Sequence, residues 1–84
     1  TKEAEIWQQE WQKWEDKTAY YEANALPQAD LMTTKADELF RNGEIAYFEY
    51  LTAIGEAANI RLAYADALHA RNQALIQLQF LLAE

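Results

Sequence analysis

Residues that break helices are nearly absent from this sequence, and their positions constrain its fold more than any other feature. The 84 residues contain one proline, Pro27, and two glycines, Gly43 and Gly55. Alanine, leucine, glutamate and glutamine, which favour helices, are frequent. Gly43 lies at the midpoint of the chain, where it can take the left-handed conformation that ends a helix. The sequence therefore predicts an all-α fold, a long antiparallel helical hairpin that turns at Asn42-Gly43.

The proline divides the first predicted arm. We expect this arm at about 3–41, as helices over about 3–25 and 28–41 that are kinked or broken at Pro27. Proline lacks a backbone N–H and moves the preceding residue away from helical angles. A chain that folds back at Pro27 would form a three-helix bundle, whereas one that runs on would form an extended arm. The second arm is predicted at about 44–82, with Glu44 in its first turn, where an acid suits the helix dipole.

Large and small apolar residues of the first arm recur alternately three and four residues apart, which is typical of a coiled-coil seam. This heptad seam consists of Ala4, Trp7, Trp11, Trp14, Thr18, Tyr21 and Ala25. Met32 and Leu39 keep its register beyond Pro27, which favours the extended arm. We expect the helix interfaces to be anchored by Trp7, Trp11, Trp14, Tyr21, Leu51, Leu62 and Leu68.

The second arm is apolar around most of its circumference. Its polar residues follow one narrow stripe, namely Glu49, Thr52, Glu56, Asn59, Asp66, Gln73 and Gln77. A helix of this kind needs more than one neighbouring helix, and a hairpin supplies only one. We therefore expect the hairpin to pack as a coiled coil or helical bundle, either with other helices of a parent chain or with other copies of itself. Of these, we favour self-association.

Charge and composition exclude several classes of function. The net charge of −7 and the pI of about 4.5 oppose binding to nucleic acid or to an anionic membrane surface. No stretch approaches the roughly 18 apolar residues of a membrane span. The absence of cysteine removes disulfides and thiol chemistry. The sequence begins Thr-Lys-Glu, so we interpret residues 1–84 as a single helical-hairpin segment excised from a larger protein.

Catalytic and metal-binding patterns are weak. The carboxylates are spread along helix faces, and there is no glycine-rich phosphate loop or nucleophile motif, so we expect no enzyme activity and no cofactor. His69 is the single histidine, and Asp66 lies on the same helical face. Because transition-metal sites usually need three or four ligands, we predict no metal site. A ligand- or metal-binding bundle remains a third hypothesis, which rests on His69 and the aromatic residues.

Residues 20–82 resemble the second repeat of the TolC-like outer membrane efflux proteins. The resemblance is carried by the turn Phe40-Arg41-Asn42-Gly43, by Phe48-Glu49-Tyr50-Leu51, and by Tyr64-Ala65-Asp66-Ala67-Leu68. The segments Leu26-Pro27-Gln28-Ala29 and 43–51 are most similar to a version of this repeat at the C-terminus of CzcA/CusA-type heavy-metal efflux pumps, of the resistance-nodulation-division (RND) class.

The resemblance implies a role at the periplasmic entrance of a conduit. Proteins of this family are trimers whose helical hairpins form a tapered tunnel, and adaptor proteins contact the hairpin tips. By resemblance, Phe40, Arg41, Asn42 and Gly43 form the tip turn and the adaptor contact, and Glu49 matches an entrance acid. Glu49 has another interpretation as an acid favoured by a nearby helix N-terminus. Thr52 occupies the position of an expected second acid, so an acidic ring would be weaker here.

Two main functional hypotheses follow. In the first, the chain is a periplasmic helical segment of a TolC-like conduit in an RND-type efflux system for heavy-metal cations. It would serve as channel wall and docking tip, with a periplasmic adaptor and an inner-membrane RND pump as partners. Its location would be the periplasm of a Gram-negative-type envelope, joined to the outer membrane through the parent protein. In the alternative, the chain is a stand-alone coiled-coil or helical-bundle oligomerisation module without a transport role.

Overall fold

A computed structural model describes residues 1–83 and shows two long helical arms. The first arm consists of α1 (Lys2–Tyr20), a π-helical turn (Tyr21–Ala25) and α2 (Leu26–Arg41). The second arm is α3 (Tyr47–Leu82), which runs antiparallel to the first and packs along both α1 and α2. The molecule measures 61 × 18 × 15 Å. The prediction of an all-helical, elongated chain is confirmed, with no strand among residues 1–83.

The first arm is not broken at Pro27. Its backbone stays helical through this region, with φ −65° and ψ −46° at Leu26, whose N–H donates to the carbonyl of Tyr21 five residues earlier. In a regular α-helix the ring of Pro27 would clash with the carbonyl of Ala23, four residues before it. The wider π turn directly before the proline accommodates that ring, so the arm continues. The three-helix bundle that would fold back at Pro27 does not form.

The π turn shifts one row of the heptad seam by one residue. The first row stays buried or half-buried along the whole arm and comprises Ala4, Trp11, Thr18, Ala25, Met32 and Leu39. The second row is Trp7, Trp14 and Tyr21 before the π turn, but Ala29 and Ala36 after it. Strict heptad spacing would instead have placed Gln28 and Lys35 there, and both are exposed. The change in the second row occurs across the π turn, whose backbone hydrogen bonds span five residues instead of four.

Helix α3 begins three residues later than predicted. The backbone of Ala46 is extended, with φ −77° and ψ 161°, and helical structure starts at Tyr47 rather than Glu44. The chain needs these intervening residues to reverse direction after Gly43. As a consequence, Glu49 and not Glu44 is the acid in the first turn of α3.

Small side chains fill the contact between the two arms. The buried residues are Ala4, Thr18, Ala29, Ala36, Ala57, Ala67 and Ala74. The tryptophans of α1 are half-buried beside this contact. Because alanine side chains are short, the two arms can approach closely along their length. Large apolar residues are therefore left at the periphery of the contact or on the outside of the hairpin.

None of the helices within residues 1–83 is both long enough and apolar enough to cross a membrane.

Candidate functional site

The turn at the hairpin tip is closed by a pair of backbone hydrogen bonds. Gly43, with φ +72°, donates its N–H to the carbonyl of Phe40 at 3.0 Å, and Glu44 donates to Leu39 at 2.8 Å. These two bonds form a Schellman motif, which satisfies the last carbonyls of α2. The left-handed backbone at Gly43 is what the motif requires, since a side chain at this angle is strained. The predicted turn at Asn42-Gly43 is thus present.

Three aromatic rings lock the two sides of the turn together. The ring of Phe40 at the end of α2 stacks on Tyr50 of α3 at 4.8 Å between centroids and lies 5.8 Å from Tyr47. The two tyrosine rings are 6.5 Å apart. Aromatic pairs at these distances stabilise by about 0.5–1.5 kcal/mol beyond their buried area. The ring cluster of Phe40, Tyr47 and Tyr50 therefore sets the direction in which α3 leaves the turn.

The surface of the tip is formed by Arg41, Asn42 and Gly43, all exposed. Beside them runs a shallow open groove of about 480 Å³, to which Asp37 and Glu38 also contribute. Of the four predicted tip residues, Phe40 is partly engaged in the ring cluster, so the accessible polar groups at the tip are those of Arg41 and Asn42. Sequence reasoning did not single out the two acids of the groove.

Glu49 caps the N-terminus of α3. One oxygen of its carboxylate accepts a hydrogen bond from the backbone N–H of Ala46 at 3.4 Å, and the side chain is exposed. An acid at the third helical position that bonds back to the N-cap N–H is half of a capping box. This contact agrees with the interpretation of Glu49 as an acid favoured by a helix N-terminus.

Within residues 1–83, four side chains of α3 form polar contacts with the first arm and fix its register. Near the tip, Tyr50 donates its hydroxyl hydrogen to Asp37 at 2.8 Å. Farther along, Arg61 pairs with Asp30 at 3.0 Å, Tyr64 donates to Glu22 at 2.9 Å, and Arg71 pairs with Glu15 at 3.3 Å. Sequence reasoning missed these pairs. Once α3 is folded back at Gly43, however, the equal distances of Tyr64 and Glu22, and of Arg71 and Glu15, from the turn could have indicated those two pairs.

Raising the pH above about 10 is expected to destabilise the hairpin. The hydrogen bond to Asp37 raises the pKa of Tyr50 above its ordinary value of 10.0, and the bond to Glu22 raises the pKa of Tyr64 in the same way. A raised pKa in the folded chain contributes stability below the unfolded pKa, which is lost as the pH rises through the folded one. Urea unfolding followed by circular dichroism from about pH 8 to about pH 11 measures this loss.

Tyr50→Phe combined with Tyr64→Phe should flatten that decline. Tyr20→Phe serves as the control, since Tyr20 is exposed and its hydroxyl makes no contact between the arms in residues 1–83. A decline of the same slope in the double variant and in the control would contradict the assignment.

One of the three tryptophans is surrounded by charge. The indole N–H of Trp14 donates to Glu10 at 3.3 Å, and the ammonium groups of Lys13 and Lys17 lie 4.9 and 4.8 Å from its ring. Cation–π contacts at partly exposed rings contribute about 0.5–1 kcal/mol each. Trp14 is therefore held by its own helix as well as by the seam.

Helix α3 carries a second apolar face that no other part of the described chain covers. The large residues on it are Phe48, Leu51, Leu62, Ile76 and Phe80, each between 47% and 79% exposed. At 100° per residue this face lies on the side of α3 opposite Ala57, Ala67 and Ala74, which contact the first arm. Of the predicted interface residues, Leu51 and Leu62 thus lie outside the contact between the arms, whereas Leu68 is half-buried.

His69 and Asp66 are both exposed on α3. Among residues 1–83, no three histidine, cysteine or carboxylate side chains are grouped so that they could hold a metal ion.

Comparison with known proteins gives no family assignment. No family model matches the sequence, no curated protein matches it, and no solved structure matches it.

Proposed function

We propose that this hairpin is a periplasmic wall segment of a TolC-like conduit in an RND-type system that exports heavy-metal cations. The observation that carries the proposal is the placement of two apolar faces on opposite sides of α3. One face is covered by the first arm, and the other is open and holds Phe48, Leu62 and Phe80. A helix in a wall needs a neighbour on each side, and α3 has this pattern. The resemblance of residues 20–82 to the TolC-like efflux proteins is the reason for assigning this wall to an efflux conduit.

The structure of the hairpin tip supports a role in docking to a partner protein. The Schellman turn and the ring cluster give a rigid end to a hairpin about 61 Å long. At that end Arg41 and Asn42 project from the side of the turn where no helix covers them. A preorganised contact of this kind loses little conformational entropy on binding. The proposed partner is a periplasmic adaptor, which would join the conduit to an inner-membrane RND pump.

Glu49 fits this proposal as an acid near the entrance. Its carboxylate already caps α3, yet it remains exposed within two turns of the tip. The capping bond uses one acceptor site, and a carboxylate has about four. The same side chain can therefore stabilise the helix and attract cations.

Binding of the 84-residue chain to an immobilised periplasmic adaptor of a heavy-metal RND pump tests the proposal. The double variant Arg41→Ala, Asn42→Ser replaces the guanidinium and amide groups of the tip without touching the ring cluster. We expect it to bind at least tenfold more weakly than the unmodified chain, measured by surface plasmon resonance. The matched control is Gln8→Ala, Gln9→Ala, which changes two exposed residues at the far end of the hairpin and should leave binding unchanged. Equal binding of all three proteins, or none by any of them, would refute the docking role.

The second candidate function is a stand-alone oligomerisation module. It is favoured by the apolar rows on both sides of the hairpin, with half-buried Trp7 and Trp11 on one arm and exposed Leu62 and Phe80 on the other. Such a module would associate with itself and would not need an adaptor. Self-association without adaptor binding is the result that selects it over the conduit.

A further inference from the structure

We infer that the open face of α3 binds the same face of α3 in a second copy of this chain, with the two helices parallel and in register. The inference goes beyond the proposed function and stands without it, because it is argued from the surface of α3 alone. The surface, here called the outer stripe, comprises Phe48, Leu51, Gly55, Ala58, Leu62, Ala65, His69, Asn72, Ile76 and Phe80.

The outer stripe has the spacing of a helix–helix seam. From Phe48 to Ile76 its members are alternately three and four residues apart, so they keep one side of α3 over eight turns. Apart from His69 and Asn72, every member is apolar or glycine. Its large exposed side chains offer on the order of 700 Å² per copy, close to the roughly 800 Å² per partner of a standard protein interface. The stripe is thus large enough for a specific contact.

The distribution of charge favours a second copy as the occupant. Residues 1–46 contain ten acidic and five basic side chains, whereas α3 contains three acidic and two basic ones. The net charge of −7 therefore lies mainly on the first arm. When two copies meet through α3, two nearly neutral helices touch and the acidic first arms lie on the outer sides, where their repulsion is smallest. A basic partner would instead be attracted to the first arm.

Gly55 supplies an independent argument for an approaching helix. It lies within α3, where glycine lowers helix stability relative to alanine. Apart from its chain neighbours and the backbone of its own helix, no described atom lies within 4 Å of the place where a Cβ would stand, so no contact between the arms requires a glycine here. Gly55 belongs to the outer stripe, one turn before Ala58. Two small residues at this place allow a second helix to come close.

The polar residues within and beside the outer stripe favour a parallel orientation of the two α3 helices. In a parallel pair Asn72 meets Asn72 of the second copy, and the two amides can donate to and accept from each other. In an antiparallel pair it would face Gly55 and have no partner. Arg61 flanks the stripe on one side and Asp66 on the other, five residues later, which is the spacing of an interhelical ion pair between parallel helices. Both members of the Arg61–Asp30 pair are exposed within one chain, at 44% and 75% of their side chains, so Arg61 is accessible from outside.

Disulfide trapping tests surface and orientation together, because the chain has no cysteine of its own. Leu51→Cys and Ile76→Cys lie near opposite ends of the stripe. In a parallel, in-register pair each variant forms a disulfide with itself, and a mixture of the two gives only like-with-like products. In an antiparallel pair only the mixture gives a product. Gln28→Cys, at an exposed position of the first arm, is the matched control and should stay monomeric under the same mild oxidation.

The solution mass of the unmodified chain completes the experiment. Light scattering over a concentration series should approach twice the 9.7 kDa of one chain. Leu62→Asn should raise the dissociation constant at least tenfold, whereas Gln77→Asn on the polar stripe should leave it unchanged. A mass of one chain at every concentration, or disulfides that form only between Leu51→Cys and Ile76→Cys, would overturn the inference. Like-with-like disulfides without adaptor binding would refute the proposed conduit but support pairing through the outer stripe. Adaptor binding by a chain that stays monomeric would support the conduit and refute the pairing.

Discussion

Replacing Ala57 by leucine is expected to lower the free energy of unfolding by about 2–3 kcal/mol. The side chain of Ala57 is fully buried between α3 and the first arm, where Ala29 and Ala36 are buried too. Three extra carbon atoms at this place must push the arms apart or force unfavourable rotamers. A long, thin hairpin has few other contacts to absorb the displacement. Urea unfolding followed by far-ultraviolet circular dichroism at low protein concentration measures the change.

Ala58→Leu is the matched control for this prediction. Ala58 is the next residue of the same helix, it is exposed, and it belongs to the outer stripe. Since nothing within the hairpin covers it, leucine should change the free energy of unfolding by no more than about 0.5 kcal/mol. Similar losses in the two variants would show that the arms do not pack through the alanine face.

Replacing Gly43 by alanine is expected to lower the free energy of unfolding by about 1–2 kcal/mol. The φ of +72° at Gly43 brings a Cβ too close to its own backbone, although the space around that Cβ is empty. The loss therefore comes from backbone strain, and no rearrangement of neighbouring side chains relieves it. Because the N–H of Gly43 closes the Schellman motif, we also expect the tip to become more mobile, which hydrogen exchange at Gly43 and Glu44 would detect.

The same substitution at the other glycine should have the opposite sign. Gly55 is helical and has free space where a Cβ would stand, so Gly55→Ala should raise the free energy of unfolding of the single hairpin by up to about 1 kcal/mol. The pair of variants thus separates a glycine needed for its backbone angle from one that the hairpin does not need. A loss of stability in Gly55→Ala, measured below the concentration of self-association, would contradict this assignment.

The local features of the fold could be predicted from the residues. The scarcity of glycine and proline indicated helices over nearly the whole chain, and Asn42-Gly43 indicated the reversal. Trp7, Trp11 and Trp14, which the heptad spacing assigns to the seam, are half-buried. These predictions succeed because they depend on propensity and periodicity, which act over a few residues.

The backbone structure at Pro27 could not be predicted from propensity and periodicity. A proline in a helix can produce a break, a kink or a π turn, and all three are compatible with the local sequence. Helix α3 packs on the first arm both before and after Pro27, which favours an arm that continues through a π turn over one that breaks. The one-residue change from the row of Trp7, Trp14 and Tyr21 to Ala29 and Ala36 occurs across that turn.

Tertiary structure also determines which of the two apolar faces of α3 packs on the first arm. Hydrophobicity alone favours the face with Phe48, Leu62 and Phe80, yet the first arm packs on Ala57, Ala67 and Ala74. The alanine face allows the closest approach of the arms, and on its edges it brings Tyr50, Tyr64 and Arg71 within reach of carboxylates on the first arm. Helix content, the turn and the periodicity of the arms were thus determined by local sequence. Which faces meet, and which remain open for a partner, was decided by close packing and by polar pairs between residues far apart in the chain.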